Sequence, residues 1–251
     1  MASPAGMGDH MVDYRLLALD YDGTLARSGV IAEPTEQALR AAKQAGIRLV
    51  LATGREIEAL LDACPQIGLF DLVVAENGGL LFYPARGEIE YLAEPRPAEL
   101  LQELKRRGVF FRRGRVILST WAAQAGVIQD ALARLKLDLP ITYNKDSAMF
   151  LPPGIDKASG LRAGLRRLGV DPSTCVGMGD AENDICFVEV CGLVVAPANA
   201  IADLKAVAGL IMTNENGAGV AEFIYQHLLA GDRPGRDVEA VPPEIRAEPG
   251  D

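Results

Sequence analysis

The chain has 251 residues, enough for one large domain or for one domain with a smaller insert. Its 49% hydrophobic and 24% charged residues are globular proportions, and a net charge of -9 excludes a nucleic-acid footprint over the whole surface. No apolar run reaches bilayer length and the N-terminus lacks a signal-peptide pattern, so no membrane partner is expected and cytoplasmic residence is the default.

Residues 1–13 carry no hydrophobic period and read as a frayed leader. Leu16-Leu17-Ala18-Leu19 then runs straight into Asp20-Tyr21-Asp22-Gly23-Thr24, which reads as a strand buried on both faces ending in two acids and a tight turn. Helical spacing over Glu33–Ala45 follows, with Pro34 in its first turn. Ile47–Leu51 is a second strand running into Thr53-Gly54-Arg55, and a helix is expected from about Glu56 to Ala63. Asp71–Ala75 is a third strand, leading to Glu76-Asn77-Gly78-Gly79. Strands alternating with helices imply a doubly wound parallel sheet.

The rhythm then changes. Leu80–Tyr83 and Glu88–Leu92 read as a hairpin, followed by a helix over Pro97–Arg107, a strand-like stretch Val109–Thr120, a helix over Trp121–Leu137 and strands at Ile141–Tyr143 and Ala148–Leu151. This order predicts a small inserted α+β unit over residues 84–153, flanked by core segments 14–83 and 154–230. The α/β rhythm resumes with helix Asp156–Leu168, strand Ser173–Met178, a turn at Gly179-Asp180 and helix Ala181–Val190. Strand Leu193–Ala196, helix Ala198–Ala206, strand Leu210–Thr213 and helix Gly219–Leu229 complete it, and residues 231–251 read as a disordered tail.

Asp20 and Asp22 fall where open α/β sheets bind ligands, at the carboxyl end of a strand. Two close carboxylates repel unless a cation or proton compensates them, so the pair predicts a metal, a proton-transfer role, or both. The four cysteines lack zinc-ligand spacing and read as buried thiols. Only His10 and His227 are present, which leaves little material for histidine-based catalysis. Read singly, Thr53 also suits a helix N-cap and Lys157 a solvated first turn, and an N-cap role explains Asp180 but not Asp184 four positions on.

Taken in order, Asp20-x-Asp22-Gly-Thr, Thr53-Gly54-Arg55, Lys157 and Gly179-Asp180-x-x-Asn183-Asp184 resemble the haloacid dehalogenase superfamily of phosphohydrolases. The insert after Glu76-Asn77-Gly78 resembles the α+β cap of one of its branches, and its short length is closer to phosphoglycolate and sucrose-phosphate phosphatases. The resemblance implies an α/β core, a Mg²⁺ cofactor and hydrolysis of a small phosphorylated metabolite. Asp20 would be the nucleophile and Asp22 the proton carrier. Metal ligands would come from Asp20, the Asp22 carbonyl and Asp180, with Asp184 holding a metal-bound water. Thr53 would bind a phosphoryl oxygen and Lys157 would offset charge. Gly54, Arg55, Asn77 and Asn183 would be further substrate contacts. A phosphomutase of the same fold and a non-catalytic phosphometabolite-binding regulator are the rivals, and a monomer or homodimer is expected.

The insert holds eleven Lys or Arg against eight Asp or Glu, opposite in sign to the rest of the chain. Lys105, Arg106, Arg107, Arg112, Arg113 and Arg115 fall together with no acid among them. A basic lid over an acidic site would favour a substrate with a second negative group. Alternatively, these residues complement a helix C-terminus and face solvent.

Overall fold

The structure, a computed structural model, describes residues 13–94, 97–144 and 146–230. Nearly all of the expected leader, and the whole expected tail, lie outside the described residues. An eight-stranded sheet forms the core. Its first strands are β1 (Leu16–Asp20), β2 (Arg48–Ala52), β3 (Leu72–Ala75), β4 (Leu80–Tyr83) and β5 (Glu88–Tyr91). Helices α1 (Glu33–Gln44) and α2 (Ile57–Ala63) connect the first three. A smaller unit follows: α3 (Ala98–Arg106), β6 (Arg112–Arg113), β7 (Leu118–Trp121), α4 (Ala125–Leu135), β8 (Ile141–Asn144) and β9 (Ser147–Phe150). The chain returns through α5 (Lys157–Leu168), β10 (Cys175–Met178), α6 (Glu182–Val188), β11 (Leu193–Ala196), α7 (Ala202–Val207), β12 (Leu210–Ile211) and α8 (Asn216–Phe223).

The sheet order is β12-β11-β10-β1-β2-β3-β4-β5, parallel from β12 to β3 and antiparallel at β4 and β5. This is the doubly wound arrangement expected from the alternation of elements. β1 is buried along its whole length because alternate residues serve opposite faces. Leu17 and Leu19 pack in a layer with Leu39 of α1 and Val220 of α8. Leu16 and Ala18 pack in a second layer with Leu161 of α5 and Phe187 of α6. Burial on both faces is what a run of four apolar residues demands.

Two details differ from the sequence reading. The strand at residues 88–91, read there as the first of the insert, belongs to the large sheet, where Leu80 pairs with Tyr91 and Phe82 with Ile89. Its alternating Glu-Ile-Glu-Tyr pattern is that of an edge strand, and pairing with β4 rather than composition decides its sheet. The stretch 109–120 is two strands rather than one, Arg112–Arg113 and Leu118–Trp121. They belong to a separate antiparallel sheet of order β6-β7-β9-β8, covered by α3 and α4 through Leu100, Leu104, Ile128 and Leu132. Among the described residues, no helix is long and apolar enough to cross a membrane.

Candidate active site

The chain runs outward from β1 to β5 and then returns to β10 on the other side of β1, so the topological switch lies between β1 and β10. Three strand ends converge there, because Asp20 pairs in register with Ala52 and Leu19 with Met178. Open α/β sheets form their ligand crevices at such points. The crevice, about 350 Å³, has Asp20, Thr53, Lys157 and Asp184 on the core side and Arg112, Ser119, Ser147 and Met149 on the side of the small unit.

Lys157 is the hub. Its Nζ donates to Asp20 Oδ1 and to Asp184 Oδ1, each at 2.6 Å, with the side chain 2% exposed. The solvated alternative for this lysine therefore does not hold. Its position is fixed by a capping box, in which Asp156 accepts the Ser159 amide and the Ser159 hydroxyl accepts the Asp156 amide. The turn Glu76-Asn77-Gly78 abuts the same helix start. Gly78 has φ 93°, and a Cβ there would lie 2.0 Å from the Asp156 carbonyl oxygen, so only glycine permits the approach.

Asp180 and Asp184 do not share a helix. Helix α6 begins at Glu182, and Asp180 lies in the loop before it. Asp184 is the third helical residue and its Oδ2 accepts the amides of Asp180 and Ala181, both at 3.0 Å. The carboxylate thus ties down the loop that presents Asp180, while its other oxygen faces Lys157. Thr24 donates to Asp180 Oδ1 at 3.2 Å. Gly23 leaves room for that carboxylate, since a Cβ there would sit 2.3 Å from Asp180 Oδ2.

Asp20, Asp180 and Asp184 each offer an oxygen within 4.8 Å of the others, and all three are buried. Against three carboxylates stands the single ammonium of Lys157. Burial, then Asp184, drives the Asp20 carboxyl well above the usual carboxylate range, with Lys157 pulling the other way. Burial works against a charged Lys157, but Asp184 and Asp20 together outweigh it and hold the ammonium above its ordinary range. The raised Lys157 expresses a surplus of negative charge and the raised Asp20 chiefly the cost of burying it, and an all-carboxylate donor set fits a hard divalent cation.

Asp22 stands apart from the cluster. Its two oxygens accept from Arg55 Nε at 2.6 Å and Nη2 at 2.7 Å, a bidentate fork, while the guanidinium lies 5.0 Å over the Tyr21 ring. Thr53 is 1% exposed and its Oγ accepts the Arg55 amide at 3.1 Å. It is not a helix cap, because the N-cap of α2 is Glu56. Gly54 and Asn183 also line the crevice. Both polar atoms of the Asn183 amide are buried without a protein partner, as befits a group that meets a ligand or water there. Asn77 does not line the crevice. Its Nδ2 lies 3.2 Å from Met149 Sδ, so it meets the underside of the small unit instead.

Three contributors carried no recognisable sequence signal. Glu76, fully buried, accepts the backbone amides of Arg115, Val116 and Ile117 at 2.8, 2.6 and 3.0 Å. Glu56 accepts from Ser119 Oγ at 2.9 Å and pairs with Arg112 at 3.0 Å. Ser147 reaches the crevice from β9.

Comparison with known proteins agrees with this geometry. A family model described as haloacid dehalogenase-like hydrolase matches residues 17–109 and 121–224. The phosphoglycolate phosphatase of Methanothermobacter thermautotrophicus is 32% identical over 223 residues, covering 85% of this chain and 99% of the relative. Phosphoglycolate phosphatase 2 of Saccharolobus solfataricus is 32% identical over 234 residues, covering 89% and 96%. Among solved structures, a haloacid dehalogenase-like hydrolase from Bacteroides thetaiotaomicron superposes with a TM-score of 0.72 at 23% identity, covering 84% of this chain and 98% of that one. With its two acids at the switch point and its lysine between Asp20 and Asp184, the chain belongs to the haloacid dehalogenase-like hydrolase family.

Proposed function

We propose that this protein is a magnesium-dependent phosphatase that hydrolyses a small phosphate monoester through an aspartyl-phosphate on Asp20. The observation that carries the reading is the buried Asp20, lining the crevice and held by Lys157 beside Asp180 and Asp184. The relatives named phosphoglycolate phosphatase support a small acidic substrate.

Asp20, Asp180 and the Asp22 carbonyl would hold Mg²⁺, with Asp184 beside them. When bound, the ion supplies charge neutralisation for the phosphoryl group. The remaining chemistry belongs to the chain. Lys157 fixes the rotamer of Asp20 through Oδ1, leaving Oδ2 as the nucleophilic oxygen. Attack on phosphorus breaks the bond to the leaving oxygen, which takes a proton from Asp22. Water then attacks the aspartyl-phosphate and returns a proton to Asp22, and inorganic phosphate and the Asp20 carboxylate are released. Both oxygens of Asp22 are acceptors for Arg55 in this structure, so giving a proton requires the fork to open. Thr53 Oγ and the Asn183 amide face the crevice as donors to phosphoryl oxygens.

Asp20→Asn should lower Mg²⁺-dependent phosphate release roughly a thousandfold or more, the scale on which removal of a nucleophile is felt. EDTA should silence the wild type and added Mg²⁺ restore it. A wild type that releases no phosphate from any small monoester, or an Asp20→Asn variant of undiminished activity, would overturn the reading.

A further inference from the structure

We infer that Arg112, held in place by Glu56, binds a second anionic group on the substrate and so favours phosphate monoesters that also carry a carboxylate. The inference rests on the phosphatase reading above and adds to it the residue that selects the substrate.

The basic stretch of the small unit divides once its partners are known. Arg106 and Arg107 both pair with Glu103. Arg115 pairs with Glu58 and donates to the Tyr91 hydroxyl. Of the six basic residues in this stretch, Arg112 alone lines the crevice. It sits opposite the carboxylate cluster, across a cavity of about 350 Å³. That volume suits a substrate of few atoms, whose far end would lie close to whatever forms the roof.

Glu56 aims this arginine. The acid directly follows the Thr53-Gly54-Arg55 turn and is 9% exposed. One of its oxygens accepts from Ser119 and the other faces Arg112 Nη2 at 3.0 Å. Arg112 makes no hydrogen-bonded fork on its acid of the kind Arg55 makes on Asp22, and it retains N–H groups for another oxyanion. With its side chain 60% exposed, the pair contributes little to stability on its own. A guanidinium lining the crevice is a planar donor surface that matches a carboxylate through two parallel N–H groups.

The test compares 2-phosphoglycolate with ethyl phosphate, which has the same two-carbon frame without the carboxylate, at saturating Mg²⁺. For the wild type, kcat/KM should favour phosphoglycolate. In Arg112→Ala the ratio of the two kcat/KM values should fall at least tenfold, chiefly through KM for phosphoglycolate, and Arg112→Lys should restore part of it. If Arg112→Ala does not fold, Arg112→Gln, which keeps the length of the side chain, should show the same collapse. An unchanged ratio in the variants would make Arg112 a latch between the two units and overturn the inference. A wild type that hydrolyses ethyl phosphate as well as phosphoglycolate would overturn it too, while leaving the phosphatase reading intact. A wild type inactive on every monoester would remove that reading and the inference together.

Discussion

Replacing Glu76 with alanine tests how the small unit is fastened to the core. Glu76 lies at φ 54° and Asn77 at φ 52°, and a left-handed backbone at a non-glycine residue is unfavourable unless its surroundings enforce it. The compensation is visible in three backbone amides from residues 115–117 that converge on one carboxylate at 2.6–3.0 Å. Val116 and Ile117 are 2% and 0% exposed, so their amides cannot simply turn to water when the acceptor goes. Each buried donor left without a partner costs about 1–3 kcal/mol, and the vacated space adds a cavity cost unless water enters. Arg115 is exposed and its amide can be resolvated, which removes the third term. The expected loss is about 3 kcal/mol, or roughly 6–12 °C in Tm for a chain of this size. Glu76→Gln, which keeps one acceptor oxygen, should lose about half as much. Urea unfolding followed by far-ultraviolet circular dichroism and by fluorescence of Trp121, the single tryptophan, reads the whole fold and the small unit separately. Trypsin should also cut faster at Arg112, Arg113 and Arg115 in the alanine variant. A loss below about 1 kcal/mol together with unchanged cleavage would show that the carboxylate is not the fastening.

Gly78→Ala should both destabilise and disable the protein. Its positive φ costs about 1–2 kcal/mol for any L-residue, and the clash with Asp156 must move the start of α5 and Lys157 with it. Calorimetry and phosphatase rates should fall together, and loss of stability with full activity would refute the link. Cys175 is fully buried, and burial pushes its thiol up to about 12 from an ordinary value of 9.0. The unfolded thiol ionises first, so its contribution to stability is complete below pH 9 and declines between pH 9 and 12, by at most about 1.4 kcal/mol per pH unit. Urea midpoints across that range should fall less steeply in Cys175→Ala than in the wild type, and identical slopes would exclude the thiol.

Much of the site was legible because its residues sit where strong patterns end. Asp20, Thr53 and Asp180 each follow a run of residues buried on both faces, and such runs mark strand termini by hydrophobicity alone. Lys157 and Asp184 were legible only through their order relative to those strands, since an isolated lysine or acid near a helix start reads equally well as solvated. The one-residue shift that starts α6 at Glu182 rather than Ala181 is a capping matter, since Asp184 at the third helical position reaches the amides of Asp180 and Ala181. Glu76 was not legible, because a buried acid and a surface acid look alike until the amides of residues 115–117 are brought beside it. The same holds for the strand at 88–91, whose polar alternation says that one side is wet but not which sheet it joins. Arg112 could be singled out from its basic neighbours only once the crevice lining was known and Glu103 and Glu58 were seen to pair with Arg106, Arg107 and Arg115.

The central place of β1 also carries a consequence for how the molecule assembles. Its Leu16 pairs on one side with Arg48, close in sequence, and on the other with Cys175, which is made much later. During synthesis the strand bearing Asp20 is therefore complete on one flank only, while the four strands of the small unit are local to one another and able to close first. The nucleophile meets its lysine and the other two acids only when the chain from residue 157 onward docks, so an unfinished chain holds no working site. Pulse-labelled hydrogen exchange should accordingly protect amides of β7 and β9 before those of β1, and the reverse order would exclude this sequence of events.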